Sequence, residues 1–183
     1  RKAPQGAFSC YVSAMLYTAT RKTLPMFALL PPRCPGSGTP AYRRRVEVYL
    51  ERHRPNNMPS RLTCIFACQT PQHSDAYMDG ELWLSQPVPR FLYGLQTQAA
   101  HGPHPMALVD AVEHALKAGE DSRAQRLAAE YWSPTQHWLF NEYLCTGVTV
   151  VAELQRQSLS SKERTLAHTD FSADRSRVTN LFP

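Results

Sequence analysis

RLTCIFACQTPQHSDAY, residues 61–77, is the stretch that decides the fold. Its apolar run, Leu62 to Ala67, ends at Gln69 and predicts a buried strand. A helix start follows at once, with Thr70 as N-cap, Pro71 in the first helical position, and Ser74, Asp75 and Tyr77 in the first turns. A strand running straight into a polar helix sets side chains at the lip of a cleft, a place for a small ligand. The same corner also serves purely structural ends, so its neighbours must decide.

Upstream, Tyr11–Thr20 reads as a strand rich in β-branched and aromatic residues, closed by Arg21-Lys22. Residues 31–40 hold four prolines and two glycines and read as a loop. A helix follows from Thr39-Pro40 to about His53. Its spacing puts Val46, Tyr49, Leu50 and His53 inward and Arg43, Arg44, Glu47 and Glu51 in water. Downstream, Glu81–Gln86 and Arg90–Gln96 suggest two strands around Pro87-Val88-Pro89. HGPHP, residues 101–105, reads as a surface loop whose His101 and His104 have no Cys or His cluster to complete a metal site. Met106–Ala118 is a helix with Val109, Val112 and Leu116 inward, stopped by Gly119. A further helix opens on a capping box, Ser122 to Gln125, and runs to about Trp132. Trp138–Cys145 and Gly147–Leu154 read as a hairpin turning at Thr146-Gly147. From Gln155 the pattern dissolves into a polar, basic tail with at most one loose helix.

These elements define an α+β chain in mixed order, divided as an irregular segment 1–10, a domain 11–154 and a tail 155–183. Its 183 residues suit one domain with a sizeable core, and Arg1-Lys2 reads as a cut or processed end. No apolar run reaches the ~18–20 residues of a membrane span. The net charge of +5 is concentrated in Arg43–Arg45 and the last stretch of chain. Such an excess draws phosphates, acidic proteins or nucleic acid, or simply forms a solvated helix face. No zinc-finger, basic-zipper or aromatic RNA-binding pattern is present, which makes nucleic acid an unlikely partner. No GxGxxG or GK[ST] loop appears, which counts against a dinucleotide-fold or P-loop enzyme. Five cysteines at irregular spacing argue for free thiols and a reducing compartment. Cys64 and Cys68 are four apart and form no CxxC clamp.

LYTATR (16–21), IFACQTPQHSDAY (65–77) and WLFNEYLCTGVTVV (138–151) stand in an order that resembles the ADP-ribosyltransferase superfamily. The portion AAEYW…NEYL…G…VV (128–151) is similar to its small bacterial members. The resemblance implies two packed, mostly antiparallel small sheets with flanking helices. It implies NAD as co-substrate, and a secreted bacterial effector or toxin acting in a reducing cytosol. The partner would be a target protein, with ubiquitin or a GTPase among those the family allows. In that family the first strand supplies a cation, the second strand and its helix supply polar and aromatic groups, and the last strand supplies a Glu.

Carried over residue by residue, the resemblance makes Glu142 the catalytic carboxylate. Loss of nicotinamide leaves an oxocarbenium-like sugar that such a group stabilises. Glu142 stands in an apolar, aromatic run, where an unpartnered carboxylate is costly to bury; an edge-strand Glu facing water is the alternative. Glu153 is the fallback. Arg21 is the candidate for the diphosphate, with Tyr17 and Thr18 before it; Tyr17 serves either as a stacking group or as a core aromatic. Gln69, Thr70 and Ser74 are the polar groups of the middle motif, and Tyr77 the ring to stack on nicotinamide. Tyr131 and Trp132 are candidates for a pocket wall. Phe140, two residues before Glu142, stands where protein-modifying members place Glu or Gln, which argues against an arginine acceptor. Two other classes stay open. One is a non-catalytic domain docking an acidic partner through Arg43–Arg45 and the tail. The other is a thiol hydrolase using Cys64 or Cys68, disfavoured because neither begins a helix.

Overall fold

The computed structural model describes residues 15–33, 41–81, 91–155 and 159–182. Residues 34–40 of the loop expected over 31–40, and residues 82–86 of the strand expected over Glu81–Gln86, lie outside these residues. So do Cys10, Cys34 and the side chain of Arg43. The described elements run β1 (Leu16–Thr20), α1 (Ala41–Arg52), β2 (Ile65–Ala67), α2 (Pro71–Glu81), β3 (Phe91–Pro105), α3 (Met106–Ala118), α4 (Asp121–Trp132), β4 (Asn141–Leu154) and α5 (Ser161–Leu181). The expected α+β class holds. Two separate sheets are not what the described strands form: they make one antiparallel sheet in the order β1-β3-β4-β2.

The sheet is built on the long β3–β4 ribbon, which pairs Leu92 with Leu154 at one end and Pro105 with Asn141 at the other. β1 flanks Phe91–Leu95 and β2 flanks Tyr143–Cys145, on opposite edges of the ribbon. Long two-stranded ribbons twist strongly, and here the outer strands come round to meet. Tyr17 and Cys68 exchange both backbone hydrogen bonds, at 2.9 and 2.7 Å. A cleft opens where the edges converge.

Several expected boundaries move, each for a physical reason. β2 is only Ile65–Ala67, because Thr63 N and Cys64 N bond back to Ser60 O and make Arg61–Cys64 a turn. Glu81, expected in a strand, closes α2. HGPHP is not a loop: it continues β3 through an irregularity between His101 and His104. Gly102 sits there at φ +147, where a Cβ would lie 3.0 Å from the Glu142 carbonyl oxygen, so only glycine allows this approach. The hairpin expected at Thr146-Gly147 is instead one strand, β4, passing through Gly147 at φ +59. The capping box at Ser122 does not form. Gly119 ends α3 in the left-handed region, Glu120 alone separates it from Asp121, and Ser122 is already inside α4.

Other readings hold as made. Thr70 Oγ1 accepts from His73 N at 3.1 Å, capping α2. Val109, Val112 and Leu116 are buried in α3, and Val46 and Leu50 in α1. These join Leu127, Tyr131 and Trp138 in the principal core, which also takes Leu144 of β4. The next residue, Cys145, points to the other face and a second cluster with Leu16, Leu95, Val148 and Val150.

The stretch read as a tail is a correction of larger consequence. α5 is a 21-residue helix with a full capping box between Ser160 and Glu163, and it packs on α2 and α3. Its Asp174, fully buried, accepts from Leu139 N at 2.9 Å and Phe140 N at 2.8 Å, just before β4. Asp174→Ala leaves both donors without their acceptor. It is expected to cost about 1–3 kcal/mol, roughly 2–4 °C of Tm per kcal/mol at this size. Asp174→Asn, which keeps one acceptor, should cost less in the same thermal melts.

Candidate functional site

The cleft between the converging edges has a volume of about 290 Å³. β1 lines it with Thr18, Ala19 and Thr20, β2 and its end with Ile65 to Cys68, and α2 with Ser74 and Tyr77. Leu24, Leu30, Arg33, Met106 and Glu142 complete the wall. The strand–helix corner read from the sequence is therefore one side of a real cavity.

Glu142 is buried, not an edge residue in water. Its Oε1 accepts from Tyr131 Oη at 2.6 Å and from Arg61 Nη1. Its Oε2 is buried with no hydrogen-bond partner. Arg61, fully buried, is the hub. It donates Nε to Glu47 Oε2 at 2.8 Å, Nη2 to Glu47 Oε1 at 3.2 Å, and Nη1 also to Tyr131 Oη. Burial opposes a guanidinium charge, but Glu142, Tyr131 and Glu47 outweigh it and hold Arg61 well above its usual pKa. Burial, with help from Glu142, pushes the Tyr131 phenol well above its usual value, so it stays a donor.

Glu47 corrects the helix reading: it is 2% exposed, not solvated. It lies beside the Val46–Leu50 stripe of α1, and the Arg61 side chain makes that flank polar and buried. Glu51, also expected in water, is half-buried and accepts from Arg61 N at 3.2 Å. Phe66 lies between two guanidiniums, Arg33 at 4.2 Å and Arg61 at 4.5 Å from its ring centre.

Of the sequence candidates, the cleft brings together Thr18, Ser74, Tyr77 and Glu142. The others fall elsewhere. Tyr17 contributes its backbone to the Cys68 bridge and to Ser74 Oγ, which donates to Tyr17 O at 2.7 Å. Arg21 is exposed beyond β1, Gln69 is exposed, and Thr70 serves as the α2 cap. Glu153 is exposed and paired with Tyr93, far along β4 from Glu142. Tyr131 does act at the site, through Glu142, whereas Trp132 donates Nε1 to Leu50 O at 2.8 Å and locks α4 to α1. Phe140 packs into core with His73 and Phe171.

Arg33 is the cation that lines the cleft, a place the sequence reading assigned to Arg21. Arg61, Glu47, Arg33 and His104 were not singled out for this site. The available signals were a lone Arg heading an apolar run and two acids, Glu47 and Glu51, one turn apart beside an apolar stripe.

Burial lifts the Cys64 thiol to about 11 and the Cys68 and Cys145 thiols to about 12. That disfavours a thiolate nucleophile at these positions. Among the described residues no cluster of three or more His, Cys, Asp or Glu could hold a metal. None of the described helices is long and apolar enough to cross a membrane. No family model matches the chain, and no curated protein matches it.

Removing the hub should unfold the site. Arg61→Ala leaves two buried carboxyl groups without their cation and is expected to cost about 3–5 kcal/mol. Glu47→Gln, which leaves Arg61 paired with Glu142, should cost distinctly less. Urea denaturation of both variants measures the difference.

Proposed function

We propose that the chain is an NAD-dependent mono-ADP-ribosyltransferase of the effector or toxin kind, with Glu142 at the chemical step. One observation carries the reading: Glu142 has one oxygen held by Tyr131 and Arg61 and the other buried without a partner, in a residue that lines the cleft. A carboxylate so held is preorganised, and its second oxygen suits a sugar hydroxyl donor and a developing positive charge. Thr18, Ser74 and Tyr77 in the same cleft support the reading, as does the order of the three motifs along the chain.

At about 290 Å³ the cleft is at the small end of ligand sites, which run from roughly 300 to 1,000 Å³. It suits the nicotinamide–ribose end of NAD, with the rest extending outward. Tyr77 offers a ring for nicotinamide and Arg33 a cation for phosphate. In the reaction the bond from the ribose C1′ to the nicotinamide nitrogen breaks, and its electron pair leaves with nicotinamide. The acceptor nucleophile bonds to C1′ and gives up its proton. Phe140 in place of an acidic or amide group still argues against arginine as acceptor, so a hydroxyl or another side chain of the target protein is the better candidate.

Calorimetric titration of NAD with an assay for released nicotinamide tests this. Wild type should bind and turn over, Glu142→Gln should bind yet lose about 10²–10³ of turnover, and Arg33→Ala should weaken binding about tenfold. Full activity in Glu142→Gln sinks the assignment.

A second reading has its own observation. Arg44, Arg45 and Arg52 of α1 line a groove of about 650 Å³ together with Val48, Tyr49, Leu116 and one acid, Asp121. That surface suits an acidic protein segment. If the chain is an interaction domain, a Glu-rich peptide should bind there with affinity falling steeply between low and physiological salt, and Arg44→Glu/Arg45→Glu should abolish it. Absence of binding at low salt removes this reading.

A further inference from the structure

His104 is 1% exposed and stands opposite Glu142 in the β3–β4 register. Residues paired this way across a sheet carry their Cβ atoms about 4.5–5.5 Å apart on one face. The imidazole stacks on the Tyr131 ring at 4.9 Å and 20°, and its Nδ1 lies 3.0 Å from Tyr131 O. A carbonyl only accepts, so Nδ1 carries the proton and Nε2 is a bare acceptor. That Nε2 is buried with no hydrogen-bond partner. The two residues facing each other here thus each hold one unpartnered buried acceptor, His104 Nε2 and Glu142 Oε2. Two acceptors cannot bond to each other. The two atoms do not meet in the structure; a proton on Nε2 makes it a donor, towards which the Glu142 carboxyl group has to turn.

We propose that His104 is a positioning residue for Glu142 with two settings. Neutral, it props Tyr131, whose hydroxyl holds Oε1, and Oε2 has no protein partner. Protonated, its Nε2–H draws the Glu142 carboxyl group round until it takes Oε2, which withdraws the carboxylate from the ligand. The proton comes from solvent and no covalent bond changes.

Of the charges near the imidazole, Glu142 favours its protonation, while Arg61 and His101 oppose it. The groups around the imidazole are Glu142 from β4, Tyr131 and the edge of Trp132 from α4, Arg61 before β2, and His101 on its own strand. Burial is the largest influence and lowers the His104 pKa from the usual 6.5; the bond to the Tyr131 carbonyl and then Glu142 partly offset this, and Arg61 and His101 add to it. The neutral setting therefore prevails at neutral pH, and the latch engages on the acid side.

The test begins with wild type and no ligand. Imidazole ¹⁵N and ¹³C spectra of the full chain are expected to report the Nδ1–H tautomer of His104, titrating below pH 6.5. Glu142→Gln should lower the midpoint further, because it removes the charge that stabilises the protonated ring. An Nε2–H tautomer, or a midpoint that Glu142→Gln leaves unmoved, overturns the proposal.

A second arm rests on the transferase reading. The NAD dissociation constant should rise about tenfold per pH unit below the midpoint, as expected when one proton and the ligand exclude each other, and His104→Gln should flatten that rise. A rise that persists unchanged in His104→Gln overturns the latch. If wild type binds no NAD at any pH, the transferase reading fails by itself, and the spectra still decide His104.

Discussion

The structure depends on one buried guanidinium. Arg61 joins Glu47 of α1, Tyr131 of α4 and Glu142 of β4, and its ring neighbour Phe66 belongs to β2. A charge this deep is tolerated only when its donors are matched by acceptors. The elements that carry those acceptors are therefore bound to one relative position. This also explains how Glu142 stays buried without leaving its sheet position, since Arg61 offsets the desolvation of its carboxylate.

The same arrangement sets a buried carboxylate in the wall of the cleft. Arg61 and Tyr131 both reach Oε1, and Oε2 is left without a partner. Natural interiors rarely leave such an atom, and a catalytic role, local strain or a bound water is what accounts for it where they do. The cleft itself comes from the twist of the β3–β4 ribbon, which brings β1 round to the end of β2. Below it, Asp174 of α5 fixes the backbone of Leu139 and Phe140, immediately ahead of the strand that carries Glu142.

What could be read in advance followed the range of the forces involved. Helix α3 was read with both of its ends correct, because inward periodicity and a left-handed Gly119 are local facts. The Thr70 cap and Pro71 start of α2 are local too. The order of motifs points to Glu142, Thr18, Ser74 and Tyr77, which line the cleft. Arg21 stands out in the sequence because it closes a strand, while Arg33 follows a Pro pair in a stretch without pattern. Glu47 was assigned to water because helical periodicity treats every charged position as solvent-facing and has no knowledge of a cation arriving from elsewhere.

The sequence by itself determined the α+β class, most helices, the strand–helix corner and the candidate carboxylate. The first three rest on residues within a few turns or one pleat of one another, and the carboxylate on the order of three motifs along the chain. Only the tertiary structure decided the rest. Arg61 meets Glu47 across 14 residues and Glu142 across 81, and no local propensity encodes such a meeting. The polar last stretch became α5 because Ala167, Asp174 and Val178, spaced along it, found burial against the domain. β4 runs straight through Gly147 because β3 is long enough to pair on both sides of it, so a residue that suits a turn in an isolated chain is held in a strand by its neighbour.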